Sequence, residues 1–125
     1  AGERAVRRRA HWQAIAAAAC EQCGRNRVPT VHAVAALPDW IDAMRREPRE
    51  GSRLLLGWHD ALPWPQASAA AGTSLLLLSG PEGGLSAQEQ TLARELGFVV
   101  ASLGPRVLRA DTAPLAALAS ISLSR

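Results

Sequence analysis

The chain contains no lysine, so all 14 of its basic residues are arginine. That absence excludes the phosphate-binding P-loop, which needs a lysine after its glycines. Cysteine is nearly absent too: only Cys20 and Cys23 occur. Two thiols do not make a disulfide framework, and a reducing cytoplasm is the expected compartment. A single C-x-x-C with no second pair, and three histidines (His11, His32, His59) without H-x3-5-H spacing, predict no metal site. Long apolar runs are missing as well. The longest leucine run, Leu75 to Leu78, is far too short to cross a bilayer, and no signal peptide is visible. Neither an internal repeat nor a low-complexity tract is present.

What remains is 125 residues with 48% hydrophobic content, enough for one compact core. The net charge of +3 and a pI near 10.1 hint only mildly at an anionic partner. Arg4, Arg7, Arg8 and Arg9 form the sharpest charge cluster, read as a solvated, frayed N-terminal arm.

Periodicity predicts a helix from about Arg8 to Cys23, with Trp12, Ile15, Ala16, Ala19 and Cys23 on its apolar face and Gly24 as the stop. Val28 to Val34 reads as a strand, and Pro38 opens a short helix through Met44. Arg53 to Trp58 and Leu75 to Ser79 carry continuous leucine runs, which suit strands buried on both faces of a parallel sheet. Between them, Ala61 to Thr73 is rich in Pro, Ala and Gly and reads as a surface loop. Ser86 and Glu89 have capping-box spacing, and Gly97 fits the end of that helix. A strand at Phe98 to Leu103 and a helix at about Asp111 to Leu123 complete an α/β pattern with a mainly parallel sheet.

Ligands of such sheets gather at the carboxyl ends of strands. Two loops stand there. In the first, Ser79-Gly80-Pro81-Glu82-Gly83-Gly84, three glycines in five positions fit either a tight strand-to-helix turn or the close approach of a ligand to bare backbone. The second runs from Ser102 through Gly104-Pro105, Arg106, Leu108 and Arg109 to Asp111-Thr112-Ala113. It places two permanent cations near the same sheet edge, although Arg109 and Asp111 also suit a structural ion pair. Asp111 or Thr112 is positioned to cap the following helix.

Three ordered motifs resemble one family. Glu21-Gln22-Cys23-Gly24-Arg25 with Val28-Pro29, then Gly80-Pro81-Glu82-Gly83-Gly84, then Leu103-Gly104-Pro105-Arg106-Val107-Leu108-Arg109 with Asp111-Thr112-Ala113, are similar to the bacterial small-subunit rRNA uracil-N3 methyltransferases of the SPOUT superfamily. The resemblance implies a SPOUT-type α/β knot, a deep trefoil near the C-terminus that creates the cofactor pocket. It also implies S-adenosylmethionine held in a bent shape by Gly80, Glu82, Gly83, Leu103, Gly104, Arg106, Leu108, Arg109 and Thr112. The substrate it implies is small-subunit ribosomal RNA or the assembled 30S subunit, and the assembly it implies is a homodimer. Asp111 stands where the family usually shows glutamate. The family's N-terminal β-barrel RNA-binding domain and the first strand and helix of its knot domain are not found upstream of Arg8, so residues 1–125 are expected to be the cofactor-binding part of a longer polypeptide.

The chemistry assigns roles to three side chains. A cation that stabilises negative charge developing on uracil oxygens assists loss of the weakly acidic N3 proton; Arg109 is the first candidate and Arg106 the second. Glu82 is a candidate to orient the cofactor or act as base, with a hydrogen-bonded loop staple as its more ordinary role. N3 lies on the Watson-Crick edge, so a paired target must be flipped out. Trp58 and Trp64 are candidates for stacking on such a base, against the commoner use of Trp in packing. Competing readings are a SPOUT enzyme acting at another RNA position and a non-catalytic RNA-binding or assembly module. Apolar residues around the last helix (Leu115, Ala116, Leu118, Ala119, Ile121, Leu123) exceed one core face and predict burial on a second side.

Overall fold

A computed structural model describes residues 2–24, 27–47, 50–57, 61–70, 74–81, 83–104 and 111–123. The chain divides between Asp39 and Trp40 into two units.

The first unit holds α1 (Gly2–Cys23) and an extended segment that follows it. No proline or glycine interrupts Glu3 to Cys23, and Arg and Ala are good helix formers, so the helix takes in Arg4, Arg7, Arg8 and Arg9. The expected frayed arm is therefore helical. The segment over Val28 to Val34 is not a strand: it runs back along α1, bonded to helix side chains in place of a neighbouring strand. Gln13 brackets it, donating from Nε2 to the Pro29 carbonyl (2.9 Å) and accepting the Val31 N–H at Oε1 (2.8 Å). Arg9 Nε donates to the Val31 carbonyl (2.8 Å), and Cys20 Sγ to the Arg27 carbonyl (3.7 Å). Arg9, Gln13, Ala16 and Cys20 share one side of the helix. That side lies about a quarter turn from the predicted face, and Trp12 and Ile15 are accordingly exposed, at 44% and 53%.

The second unit is a three-layer α/β/α arrangement. Its elements are α2 (Leu37–Arg46, which begins in the first unit), β1 (Ser52–Leu56), β2 (Leu62–Pro63), α3 (Trp64–Ala70), β3 (Leu75–Leu78), α4 (Ala87–Glu95), β4 (Val99–Ser102) and α5 (Thr112–Leu123). The four strands are all parallel, in the order β2-β4-β1-β3. Leu54 pairs with Leu77 on one side and Val99 on the other, so β1 sits between the two strands that precede the glycine and arginine loops. Pro63 lies on the outermost strand, where the N–H it lacks is not needed.

Strand alternation sorts the apolar residues. Leu54 and Ala101 face Trp64, Ala67 and Ala117 from α3 and α5. Leu55, Val100 and Phe98 face Ala93 of α4, with Trp40 of α2 packed against them. β1 is buried on both faces as its leucine run predicts; β3 is an edge strand whose four leucines are only half-buried. Residues 61–70 are not a loop. Pro65 falls in the first turn of α3, where a missing N–H is tolerated, and Trp64 and Ala67 are buried. Among the described residues no helix is long and apolar enough to cross a membrane.

Candidate functional site

Parallel pairing brings the ends of β3, β1 and β4 to one edge of the sheet. Beyond β1, Gly57 donates its N–H to the Ala101 carbonyl (3.0 Å), extending the ladder by one residue. A Cβ on Gly57 would stand 3.0 Å from Val100 Cγ1, so any side chain there would make that buried neighbour give by a few tenths of an ångström.

The glycine loop leaves β3 through Ser79 and closes a turn in which Gly84 N–H donates to the Pro81 carbonyl (2.8 Å). Its glycines serve different needs. Gly84 has φ +75°, a left-handed conformation that side chains rarely adopt. A Cβ on Gly80 would crowd Leu85 N (3.1 Å) and Gly84 C (3.2 Å). A Cβ on Gly83 would meet no atom of the described residues within 4 Å, so packing against them does not demand glycine at that position.

The loop runs directly into α4, whose first turn is held by the capping box: Ser86 Oγ accepts the Glu89 N–H (3.1 Å) and Glu89 Oε1 accepts the Ser86 N–H (2.8 Å). At the other end Gly97 (φ +89°) donates to the Arg94 carbonyl and Phe98 to the Ala93 carbonyl, a Schellman stop. α4 is thus fixed at both ends.

Between the sheet and the start of α4 lies a cleft of about 150 Å³, walled by Leu55, Leu56 and Gly57 of the β1 end, Gly83, Gly84 and Leu85 of the glycine loop, Gln90 and Val100. Gln90 carries the one polar side chain among these lining residues, and its Nε2 donates to the Leu85 carbonyl (3.3 Å). A larger groove, about 540 Å³, opens at the amino ends of β1 and β4 among Arg53, Leu54, Leu62 and Val99. It includes none of the residues chosen from sequence. The smaller cleft has the position at strand carboxyl ends that favours ligands in parallel sheets.

Of the sequence-selected residues, Gly83 lines the cleft, and Gly80 shapes the turn behind it. Leu103 packs with the α3 and α5 side of the sheet, and Gly104 N–H lies 3.4 Å from Ser102 Oγ, which donates to the Gly104 carbonyl (2.9 Å). Thr112 Oγ1 donates to Asp111 Oδ1 (3.4 Å) at the start of α5. Glu82, Arg106, Leu108, Arg109 and Trp58 lie outside the described residues. Leu55, Gly57, Gln90 and Val100 were not chosen from sequence. One signal for Gly57 was there: a glycine directly after a buried leucine strand.

The parallel α/β fold agrees with the comparison of the whole chain to known proteins. A family model for the RNA methyltransferase domain matches residues 2–122. The chain belongs to the RNA methyltransferase domain family. It is 34% identical to ribosomal RNA small subunit methyltransferase E of Bacillus subtilis over 96% of this chain and 48% of that protein, and 34% identical to the Mycobacterium bovis protein of the same name over 90% and 43%. The same methyltransferase from Neisseria gonorrhoeae, crystallised with S-adenosylmethionine, superposes with TM-score 0.83 at 38% identity over 96% of this chain and 49% of that one. A Legionella pneumophila protein solved with the bound cofactor gives TM-score 0.83 at 34% identity over 98% and 48%. The chain therefore spans about half the length of the curated relatives it matches.

Proposed function

We propose that this chain is the cofactor-binding, catalytic part of an S-adenosylmethionine-dependent methyltransferase that modifies N3 of a uridine in small-subunit ribosomal RNA in the cytoplasm. The observation that carries the reading is Gly83: its backbone is bared toward a cleft at the strand ends although packing against the described residues does not require glycine there. A cofactor lying against that backbone accounts for it. Leu55, Leu56, Leu85 and Val100 fit the apolar parts of such a molecule, and the Gln90 carboxamide fits a polar edge. Solved relatives bind S-adenosylmethionine on this fold.

When bound, S-adenosylmethionine supplies an activated methyl group on a sulfonium, so the protein acts mainly by positioning. The Gly80–Gly84 loop and the Leu103–Arg109 loop hold the cofactor, with Gly104 and Leu108 contributing from the second and Thr112 from the start of α5. Arg109 as first candidate, and Arg106 as second, stabilises negative charge on the uracil oxygens as the N3 proton leaves. Glu82 orients the cofactor or receives that proton. The C-terminal stretch forms the trefoil knot of SPOUT enzymes. Leu115, Leu118 and Leu123 of α5 are 68%, 53% and 88% exposed, which supports a homodimer. The half-buried leucines of edge strand β3 and the small net charge support a further strand and an RNA-binding domain elsewhere in the polypeptide.

Methyl transfer by the full-length protein to small-subunit RNA and to assembled 30S subunits, followed by mass analysis of nucleosides, tests the activity. N3-methyluridine is expected. A different methylated nucleoside sinks the target, and absence of S-adenosylmethionine binding by calorimetry sinks the enzyme. A monomeric mass by light scattering at micromolar concentration removes the dimer.

A further inference from the structure

The net charge of this chain is concentrated in one place. Arg4, Arg7, Arg8 and Arg9 against Glu3 give the first nine residues +3, which is the charge of the whole chain. The other residues balance, ten arginines against ten acids. Because α1 is helical here, that charge has a geometry. Arg9 turns toward the extended segment and is tied to the Val31 carbonyl. Arg4, Arg7, Arg8 and His11 stand at i, i+3, i+4 and i+7 on the opposite side, all exposed, along about 10 Å of helix.

Helix stability does not account for this cluster, since like charges three and four residues apart repel. Nor does it share in the ion pairs of Arg45 with Asp42 and of Arg45 with Glu95, which lie on α2 and α4. Exposed Trp12 and Ile15 adjoin the basic stripe. Guanidinium groups beside an exposed indole suit a chain of phosphates with bases or riboses to pack on.

We propose that the Arg4–Arg7–Arg8–His11 face of α1 is a phosphate-binding surface for the RNA that the protein methylates. It rests on the RNA substrate of the preceding reading and adds a contact outside the cofactor cleft. The test is the full-length protein against its Arg4→Gln/Arg7→Gln/Arg8→Gln variant, with small-subunit RNA affinity measured across salt concentrations. Each lost phosphate contact lowers the slope of log K against log salt by about 0.7 to 0.9, so the variant is expected to lose about 2 in slope and about tenfold or more in affinity near 0.1 M salt. Its S-adenosylmethionine affinity and melting temperature are expected to hold. Arg9→Gln, which removes the arginine bonded to Val31, is expected to leave the slope unchanged. An unchanged slope and affinity in the triple variant overturn the surface, as does a loss confined to anionic vesicles with RNA binding intact. A parent protein that binds RNA but not S-adenosylmethionine sinks the proposed activity and leaves this surface standing.

Discussion

The indole Nε1 of Trp64 donates a 2.8 Å hydrogen bond to Ser120 Oγ, joining the first residue of α3 to the penultimate turn of α5 across one face of the sheet. Ser120→Ala leaves that N–H without its partner beneath a side chain that is 7% exposed, which costs about 1–3 kcal/mol. Trp64→Ala removes the packing as well and costs about 3–5 kcal/mol. Denaturant unfolding of the two variants measures both, and equal losses would mean that the hydrogen bond rather than the ring carries the stability.

The glycines of the first loop are expected to separate binding from folding. Gly83→Val adds a side chain that meets none of the described residues at the cleft and is expected to abolish S-adenosylmethionine binding with an unchanged melting temperature. Gly84→Val, at φ +75°, is expected to destabilise the protein by about 1–3 kcal/mol. Calorimetry and thermal melts on the same pair distinguish these outcomes; retained affinity in Gly83→Val takes the loop out of the site.

Gly57 and Val100 form a coupled pair. The methyl group of Gly57→Ala lands 3.0 Å from Val100 Cγ1, so the strand ends must shift by a few tenths of an ångström. Cofactor affinity is expected to fall, and Val100→Ala, which removes Cγ1, is expected to restore part of it. A double-mutant cycle should give a coupling of about 0.5–3 kcal/mol. Additive losses would show that the two residues act apart.

Arg109→Ala is expected to lower turnover more than it weakens S-adenosylmethionine binding, because stabilisation of charge on the base is needed only as the reaction proceeds. Single-turnover methyl transfer and calorimetry give the two quantities. Equal losses assign Arg109 to binding alone.

Where the determinants are local, the sequence was readable. Ser86, Glu89 and Gly97 act within a few residues of themselves, and α4 begins and ends where they predict. Where the partner is distant, reading failed. Residues 61–70 have loop composition, yet Trp64 is buried and bonded to a serine 56 positions away. Val28 to Val34 has strand composition, but its hydrogen bonds go to Gln13 and Arg9, polar residues on a helix whose many alanines left its buried side ambiguous. The glycine loop was legible as a motif. Gly57, Gln90 and Val100 were not, because only the strand order sets the end of β1 beside that loop.

That strand order also sets when the cleft comes into being. β1 is made early, but its central partner β4 pairs Val99 with Leu54, 45 positions later in the chain. Until that long loop closes, Leu55 and Val100 are apart and the cleft has no floor. Closing such a loop costs entropy before its contacts repay it, so parallel pairings of this kind form more slowly than local ones. During synthesis the leucines of β1 and β3 therefore wait, half-sheltered, for the last strand to enter between β2 and β1.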